Sequence, residues 1–402
     1  TFPLLALFFL IACTPSKGLI GNPELPYAPS RPPQIGDLLH MATGLYVTSA
    51  DMIEAIAESR LIYVGETHDN PASHRFQLEV LSELVSRQPF GVALGMEMFT
   101  PEQQGVLDRW SAGELSEKEF LKESAWGKNW QMPYDYYRPL LLYAKEHNIP
   151  VVALNAPKSL VKKVGRNNFS ELTAEEQALL PEMDMSDPYQ RRLVASFFAG
   201  HDAGKARQDG FLRVQTLWDE AMSESIVRYL QSPQGKDKQL VVIAGGNHIR
   251  YGFGIPRRVF RRLPLSYTLL GSDEIEISAE KKESRLMDVT LPTFPMRPFD
   301  YLTYTAYEDL PPHVALGVQL EEEEGKIKIV AILPDSVAAS IGLKEGDIVV
   351  SGDGERYDEV YDLVYAVRQK EAGESMTLEI LRGDKELQID AHFPRPENSV
   401  NE

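Results

Sequence analysis

The chain has 402 residues and 43% hydrophobic content, enough for a sizeable core and a length more typical of two domains than of one. Its net charge of −18 speaks against a nucleic-acid partner and against a polybasic patch on a membrane surface, both of which need clustered Lys and Arg. There is one cysteine, Cys13, so no intrachain disulfide can form.

Taken in chain order, Leu4–Ile11 is a short apolar run, well below the ~20 residues of a spanning helix. Leu10-Ile11-Ala12-Cys13 resembles a bacterial lipobox. That resemblance implies a signal peptide over 1–12, lipidation of Cys13, and a lipid anchor facing the periplasm or exterior of a bacterial cell envelope. Thr14–Gln34 holds six prolines, and 13–35 reads as a tether.

From residue 36 to 291 strand and helix signals alternate. Apolar strand candidates are Leu61–Val64, Phe90–Met96, Pro150–Leu154, Leu240–Ala244 and Ser266–Leu270, with helical patterns between them at Arg75–Ser86 and Tyr137–Glu146. Buried runs separated by helices predict an α/β domain with a mainly parallel sheet flanked by helices. A long helix is expected from Gly204 to Leu230. Phe211, Val214, Trp218, Met222, Ile226 and Tyr229 recur on it at core spacing, while Gln215 and Asp219 share another face. Residues 292–312 are Pro-rich and carry Tyr301, Tyr304 and Tyr307, which reads as an interdomain connector.

Two of the strands end alike. Gly65-Glu66-Thr67-His68 follows one and Gly245-Gly246-Asn247-His248 follows another. Glycine permits a sharp exit, and a His three residues on is then aimed beyond the strand's carboxyl end, where open α/β sheets bind ligands. Glu97 in Met96-Glu97-Met98, Asn155 and Arg250 leave strands at the same end, and His74 is expected at the rim of the crevice. A lone buried Glu would be costly, whereas one clustered with His and Arg is a site with perturbed ionisation. Gly-x-Ser-x-Gly, His-Glu-x-x-His and a complete P-loop are all absent.

From residue 313 to 395 the pattern changes to short strands with glycine turns. Leu316-Gly317-Val318, Val330–Ala339 and Ile341–Val349 together resemble a bacterial PDZ domain, a small β-barrel-like fold with two helices, here expected at Ser336–Ser340 and Asp358–Arg368. The resemblance implies capture of a peptide or protein terminus by strand addition, with backbone amides at Leu316, Gly317 and Val318 receiving a terminal carboxylate.

Glu66–His68, Glu97, Asn155-Ala156-Pro157 and Gly246-Asn247-His248 resemble the ChaN-like haem-binding uptake domain of the wider Tiki/TraB group. Trp126…Trp130…Tyr137…Pro139 and Gln215…Trp218-Asp219-Glu220-Ala221-Met222 share that resemblance. It implies an iron-regulated, membrane-anchored lipoprotein of iron uptake that binds haem at a homodimer interface through a tyrosine. By location, Tyr134, Tyr136, Tyr137 and Tyr189 are the candidates for that ligand. The expected cofactor contacts are Glu66, His68, His74, Glu97, His248 and Arg250. The alternative is a hydrolase of the Tiki/TraB or erythromycin-esterase-like kind, with Glu66, His68, Glu97 and His248 catalytic. In its metal-dependent form His68, His248 and Glu66 hold a divalent ion.

Overall fold

Every residue of Leu61–Glu66 and of Gln239–Gly245 is buried, and these two runs form the centre of a sheet. The computed structural model describes residues 27–88, 91–196, 205–284, 291–323 and 325–395. Cys13 and the lipobox lie outside the described residues. Two compact units divide between Leu310 and Pro311.

The first unit holds eight strands: β1 (Leu38–His40), β2 (Leu45–Val47), β3 (Leu61–Glu66), β4 (Val92–Met96), β5 (Val151–Ala153), β6 (Gln239–Gly245), β7 (Tyr267–Glu276) and β8 (Tyr301–Ala306). Their order is β2-β1-β8-β7-β3-β6-β4-β5. From β8 to β5 all neighbours are parallel, and β1 joins antiparallel to β8 and β2. The mainly parallel sheet expected from the alternation is therefore present.

Alternate residues of one strand feed two separate cores. Ile62, Val64, Val241 and Ile243 enter one cluster with Phe76, Val80, Leu140 and Trp110. Leu61, Tyr63, Leu240 and Val242 enter the other with Met222, Ile226 and Val259. Burial on both faces explains why these strands read as unbroken apolar runs rather than as alternation. The helix over Lys205–Gln231 covers the second face, and Met222 and Ile226 are fully buried there as expected.

The segment 292–312 is not simply a connector. Tyr301–Ala306 pairs with β7 and β1, and Tyr301 and Tyr304 are buried in the two cores. Its run of aromatic and β-branched residues favours a pleated, half-buried strand in spite of the surrounding prolines.

The second unit is a six-stranded antiparallel sheet: β9 (Val318–Glu323), β10 (Lys326–Ile332), β11 (Ile348–Gly352), β12 (Glu355–Arg356), β13 (Ser375–Arg382) and β14 (Lys385–His392). The order is β14-β13-β11-β10-β9, with β12 on β11. Two helices, Val337–Ser340 and Val360–Arg368, complete it. Leu316, Ile327, Val349, Leu363, Leu378 and Phe393 form its own core.

Candidate functional site

Parallel pairing places Glu66 opposite Gly245, the last residues of β3 and β6, and Glu97 follows the last residue of β4 on the other side of β6. Three strand ends therefore meet at one point. They open into a cavity of about 530 Å³ lined by Glu66, His68, Glu97, Asn155, His248 and Arg250, with Trp130, Phe211, Trp218 and Phe299 as its aromatic walls. A Cβ on Gly245 would lie 3.0 Å from Cε1 and Nε2 of His68 and 3.6 Å from Cδ2 of His248. The paired Gly-x-x-His motifs thus bring both imidazoles to one place, and Gly245 is the residue that leaves them room.

Each histidine is held by its own carboxylate. Glu66, buried at the end of β3, accepts from His68 Nδ1 at 2.6 Å and from the Tyr137 hydroxyl at 2.7 Å on one oxygen, and from Gln77 Nε2 at 2.7 Å on the other. Burial alone would raise this carboxyl. The charge of His74 and the bonds from His68 and Gln77 outweigh it and hold the group at about 2. The reciprocal effect acts on His68. Burial opposes its charge, but the hydrogen bond and charge of Glu66 raise it to about 9. His68 remains about one-third exposed, edge-on to Trp130 at 5.3 Å.

His248 Nδ1 donates to Asp219 at 2.6 Å, and its Nε2 lies 3.6 Å from Glu97. Burial opposes protonation here too, and Glu97 and Asp219 raise it nonetheless. Glu97 also accepts the Gly245 amide at 2.7 Å, while the Asn155 side chain donates to the Glu97 carbonyl at 2.9 Å. Behind Asp219 a buried chain continues. Gln190 donates to Asp219 and accepts from Arg258 at 2.6 Å, and Arg258 pairs with Glu220 at 3.0 Å with both side chains fully buried.

Two expectations need correction. His74 does not line the cavity. Asn70 caps the helix Pro71–Arg87, with Pro71 in its first turn. That phase turns His74 inward, 3.6 Å from Glu66, bonded to Gln77 at 3.0 Å and to the His68 carbonyl at 3.1 Å. His74 supports Glu66 from behind. Nor does a metal site at His68, His248 and Glu66 find support. Among the described residues no group of three or more His, Cys, Asp or Glu is placed to hold a metal ion. The Glu66 oxygens and both Nδ1 atoms are already committed to each other, to Tyr137, to Gln77 and to Asp219.

The tyrosine candidates also sort themselves. Tyr134, Tyr136 and Tyr137 are buried, and the Tyr137 hydroxyl is spent on Glu66. Tyr189 is exposed and stacks on Phe253 at 5.5 Å, away from the cavity-lining residues. Phe211 and Trp218, expected in the core by their helical spacing, pack partly buried against apolar clusters and also line the cavity. Asp219 was visible as a residue on a different face from the core positions. Tyr137 as a partner of Glu66 carries no signal in spacing, because it is 71 residues away in sequence, and Gln77 reaches Glu66 only through the phase of the helix that follows β3.

A family described as haem-binding uptake, Tiki superfamily, ChaN matches residues 52–259. The chain belongs to this family. A PDZ domain matches residues 314–392. The structure of ChaN of Campylobacter jejuni, described as showing cofacial haem binding, is similar to this chain with a TM-score of 0.52 at 16% identity, over 66% of this chain and 95% of that one. At this identity the likeness concerns the fold. Protein RETICULATA-RELATED 5, chloroplastic, of Arabidopsis thaliana is 23% identical over 235 residues, 52% of this chain. The chain spans about 30% of that relative's length. A PDZ domain of HtrA3 bound to a phage-derived ligand is 22% identical over 19% of this chain and 82% of its own, with a TM-score of 0.18.

Proposed function

We propose that the ChaN-type unit binds haem in the cavity at the carboxyl ends of β3, β4 and β6, and that the PDZ unit captures a peptide terminus. The observation that carries the first part is the state of His68. Its Nδ1 is fixed by a buried carboxylate, while its other nitrogen lies on an exposed edge beside Gly245. A carboxylate behind an imidazole fixes its orientation and increases its basicity as a metal ligand.

The rest of the cavity suits the same ligand. Trp130, Phe211, Trp218 and Phe299 offer apolar faces to a planar macrocycle. Arg250 lies over Phe299 at 5.0 Å, and its buried Nε has no hydrogen-bond partner. An unpaired guanidinium on the cavity wall suits a propionate. His68 would hold the iron and Arg250 a propionate, with haem as cargo. Haem would supply the metal centre, and these residues would bind and orient it.

The test is titration of the full chain with haemin, read at the Soret band. Saturation at one haem per chain that is lost in His68→Ala is expected. Haem affinity unchanged in both His68→Ala and Arg250→Ala would move the site elsewhere. Because His68 is held protonated below about 9, haem uptake should strengthen as the pH rises from 7 towards 9. The lipobox resemblance supports anchoring at Cys13 in a bacterial cell envelope, and mass spectrometry of the membrane fraction should find a diacylated Cys13 peptide. Sedimentation with and without haemin tests a haem-linked homodimer.

A second reading has its own support. Glu66–His68 and Asp219–His248 are two histidine–carboxylate pairs facing one cavity, an arrangement suited to general acid–base hydrolysis. Turnover of a chromogenic ester by haem-free protein, abolished in both His68→Ala and His248→Ala, would favour it. An inert haem-free protein would remove it.

A further inference from the structure

We propose that the PDZ groove selects a free carboxyl terminus that ends in an apolar residue and carries Lys or Arg at the fourth and fifth positions from the end. This rests on the reading of the second unit as a peptide-binding module and names the kind of peptide.

The backbone is open at the required place. β9 is the last strand of its sheet and pairs with β10 alone among the described residues. Its other edge is available to a further strand. At the entrance, Gly317 has φ +77°, and its missing side chain is what lets Ser336 approach, since a Cβ would lie 2.3 Å from the Ser336 Cβ. The carbonyls of Leu316 and Gly317 are taken by the amides of Ala338 and Leu333, each at 2.8 Å. The amides of Leu316 and Gly317 make no hydrogen bond among the described residues. Two free donors at the end of an open edge suit a terminal carboxylate.

The side chains of β9 then fix the rest by period-two alternation. Val318 and Leu320 are half-buried against the core of the unit, whereas Gln319 and Glu321 are exposed. An antiparallel peptide whose last residue lies beside Val318 sets its third-from-last residue beside Leu320. Both of those face the apolar side. Its fourth-from-last residue falls beside Glu321 and its fifth beside Glu322.

Both of these carboxylates are exposed and form no ion pair. Lys328 lies across the ladder from Glu321 and feels its charge, but it bonds Glu323 at 2.9 Å, and Glu322 faces Ile327. The wider field has the same sign. Residues 311–402 hold 20 acidic and 9 basic side chains, a net −11 of the chain's −18. Opposite charges on adjacent strands attract and like charges repel, so a peptide with two basic residues is favoured and one with two acidic residues is disfavoured.

Fluorescence anisotropy on the full chain, with fluorescein-labelled octapeptides ending in a free Val carboxylate, tests this. A peptide with Lys at the fourth and fifth positions from the end should bind roughly tenfold tighter at low salt than the same peptide with Glu there. The ratio should collapse in the double variant Glu321→Gln/Glu322→Gln and shrink in 0.5 M salt, on the order of a 4 Å screening length. Amidation of the terminus should remove binding of both peptides. Equal affinity for the Lys and Glu peptides would overturn the charge selection and leave peptide capture standing. Failure of every free-carboxylate peptide to bind would overturn both.

Discussion

The two sheets of this chain treat charge in opposite ways. At the carboxyl ends of β3, β4 and β6 the carboxylates of Glu66, Glu97 and Asp219 are buried, and each is bonded to a histidine, an amide or both. Along β9 the carboxylates of Glu321 and Glu322 are exposed and unpaired, and the sheet edge itself is open. A buried charge is tolerated only while its partners stand, so the residues of the first site depend on one another. An exposed carboxylate can be changed alone at little cost. On the proposed reading, ligand binding in the first unit depends on interlocked side chains, and recognition in the second on backbone, with side chains adjusting preference.

The sharpest break of this contrast is Glu66→Ala. It leaves the Tyr137 hydroxyl, Gln77 and His68 without their shared acceptor, and His74 without the carboxylate 3.6 Å away. Loss of one partner from a buried pair costs about 3–5 kcal/mol, and calorimetry should show that loss in the first unit's transition. Glu66→Gln tests the pH dependence. A carboxyl lowered to about 2 contributes stability that is present above its ordinary value and lost as the pH falls towards 2. A histidine raised to about 9 contributes stability that is present below its ordinary value and lost as the pH rises through 9. These are two views of one ion pair, so Glu66→Gln should flatten both limbs of the melting-temperature profile. A profile unchanged in shape would contradict the pairing.

Two glycines give the next largest effects, one in each unit. Gly317→Ala must adopt φ +77° and also displace Ser336, whose Cβ would be 2.3 Å away. A strained backbone of this kind costs about 1–3 kcal/mol, and capture of a free-carboxylate peptide should be lost while haem titration is retained. Gly245→Ala has no such φ penalty, and its Cβ is crowded by the edge of His68 at 3.0 Å, with His248 at an ordinary 3.6 Å. Overpacking by a methyl costs about 1–3 kcal/mol, and here the ring must tilt. The Soret spectrum should change in Gly245→Ala and stay as in the natural chain in Gly246→Ala, whose Cβ would meet nothing closer than the Glu66 carbonyl at 3.5 Å. Identical spectra in the two variants would separate His68 from the haem.

How far the site could be read beforehand follows from where each group sits. Glu66, His68, Glu97, His248 and Arg250 all come directly after apolar strands, and a parallel sheet sends every such exit to one crevice. His74 was misplaced because the helix phase set by the Asn70 cap decides whether it faces the cavity or the core. Tyr137 and Gln77 reach Glu66 only through tertiary packing of two helices on one face of the sheet. The metal alternative gains no support among the described residues, where each of the two matched histidines has its own carboxylate. β8 was hidden for a different reason. Proline-rich flanks outweighed six residues of good strand composition, whose burial depends on β7 and β1 being there to receive them.

The smallest expected change in stability sharpens the contrast most. Arg250 is the exception among the charged residues of the first site. Among the described residues its side chain makes no hydrogen bond or ion pair, and its Nε is buried beside the cavity while its guanidinium lies over Phe299. Glu97, Asp273 and Glu274 line the same cavity as Arg250, and none of them pairs with it. Its isolation leaves it free for a ligand. Arg250→Ala removes no side-chain hydrogen bond or ion pair within the fold, only the contact over Phe299, so the first unit's stability should fall by no more than about 1 kcal/mol. Haem affinity should nonetheless fall about tenfold, the loss expected for one charge-assisted hydrogen bond of ~1.5 kcal/mol. Haem whose propionates are esterified provides the control, because it cannot use the guanidinium and should bind the natural chain and Arg250→Ala alike. A tenfold loss that persists with the ester would place Arg250 in the shape of the cavity rather than in recognition of its anion.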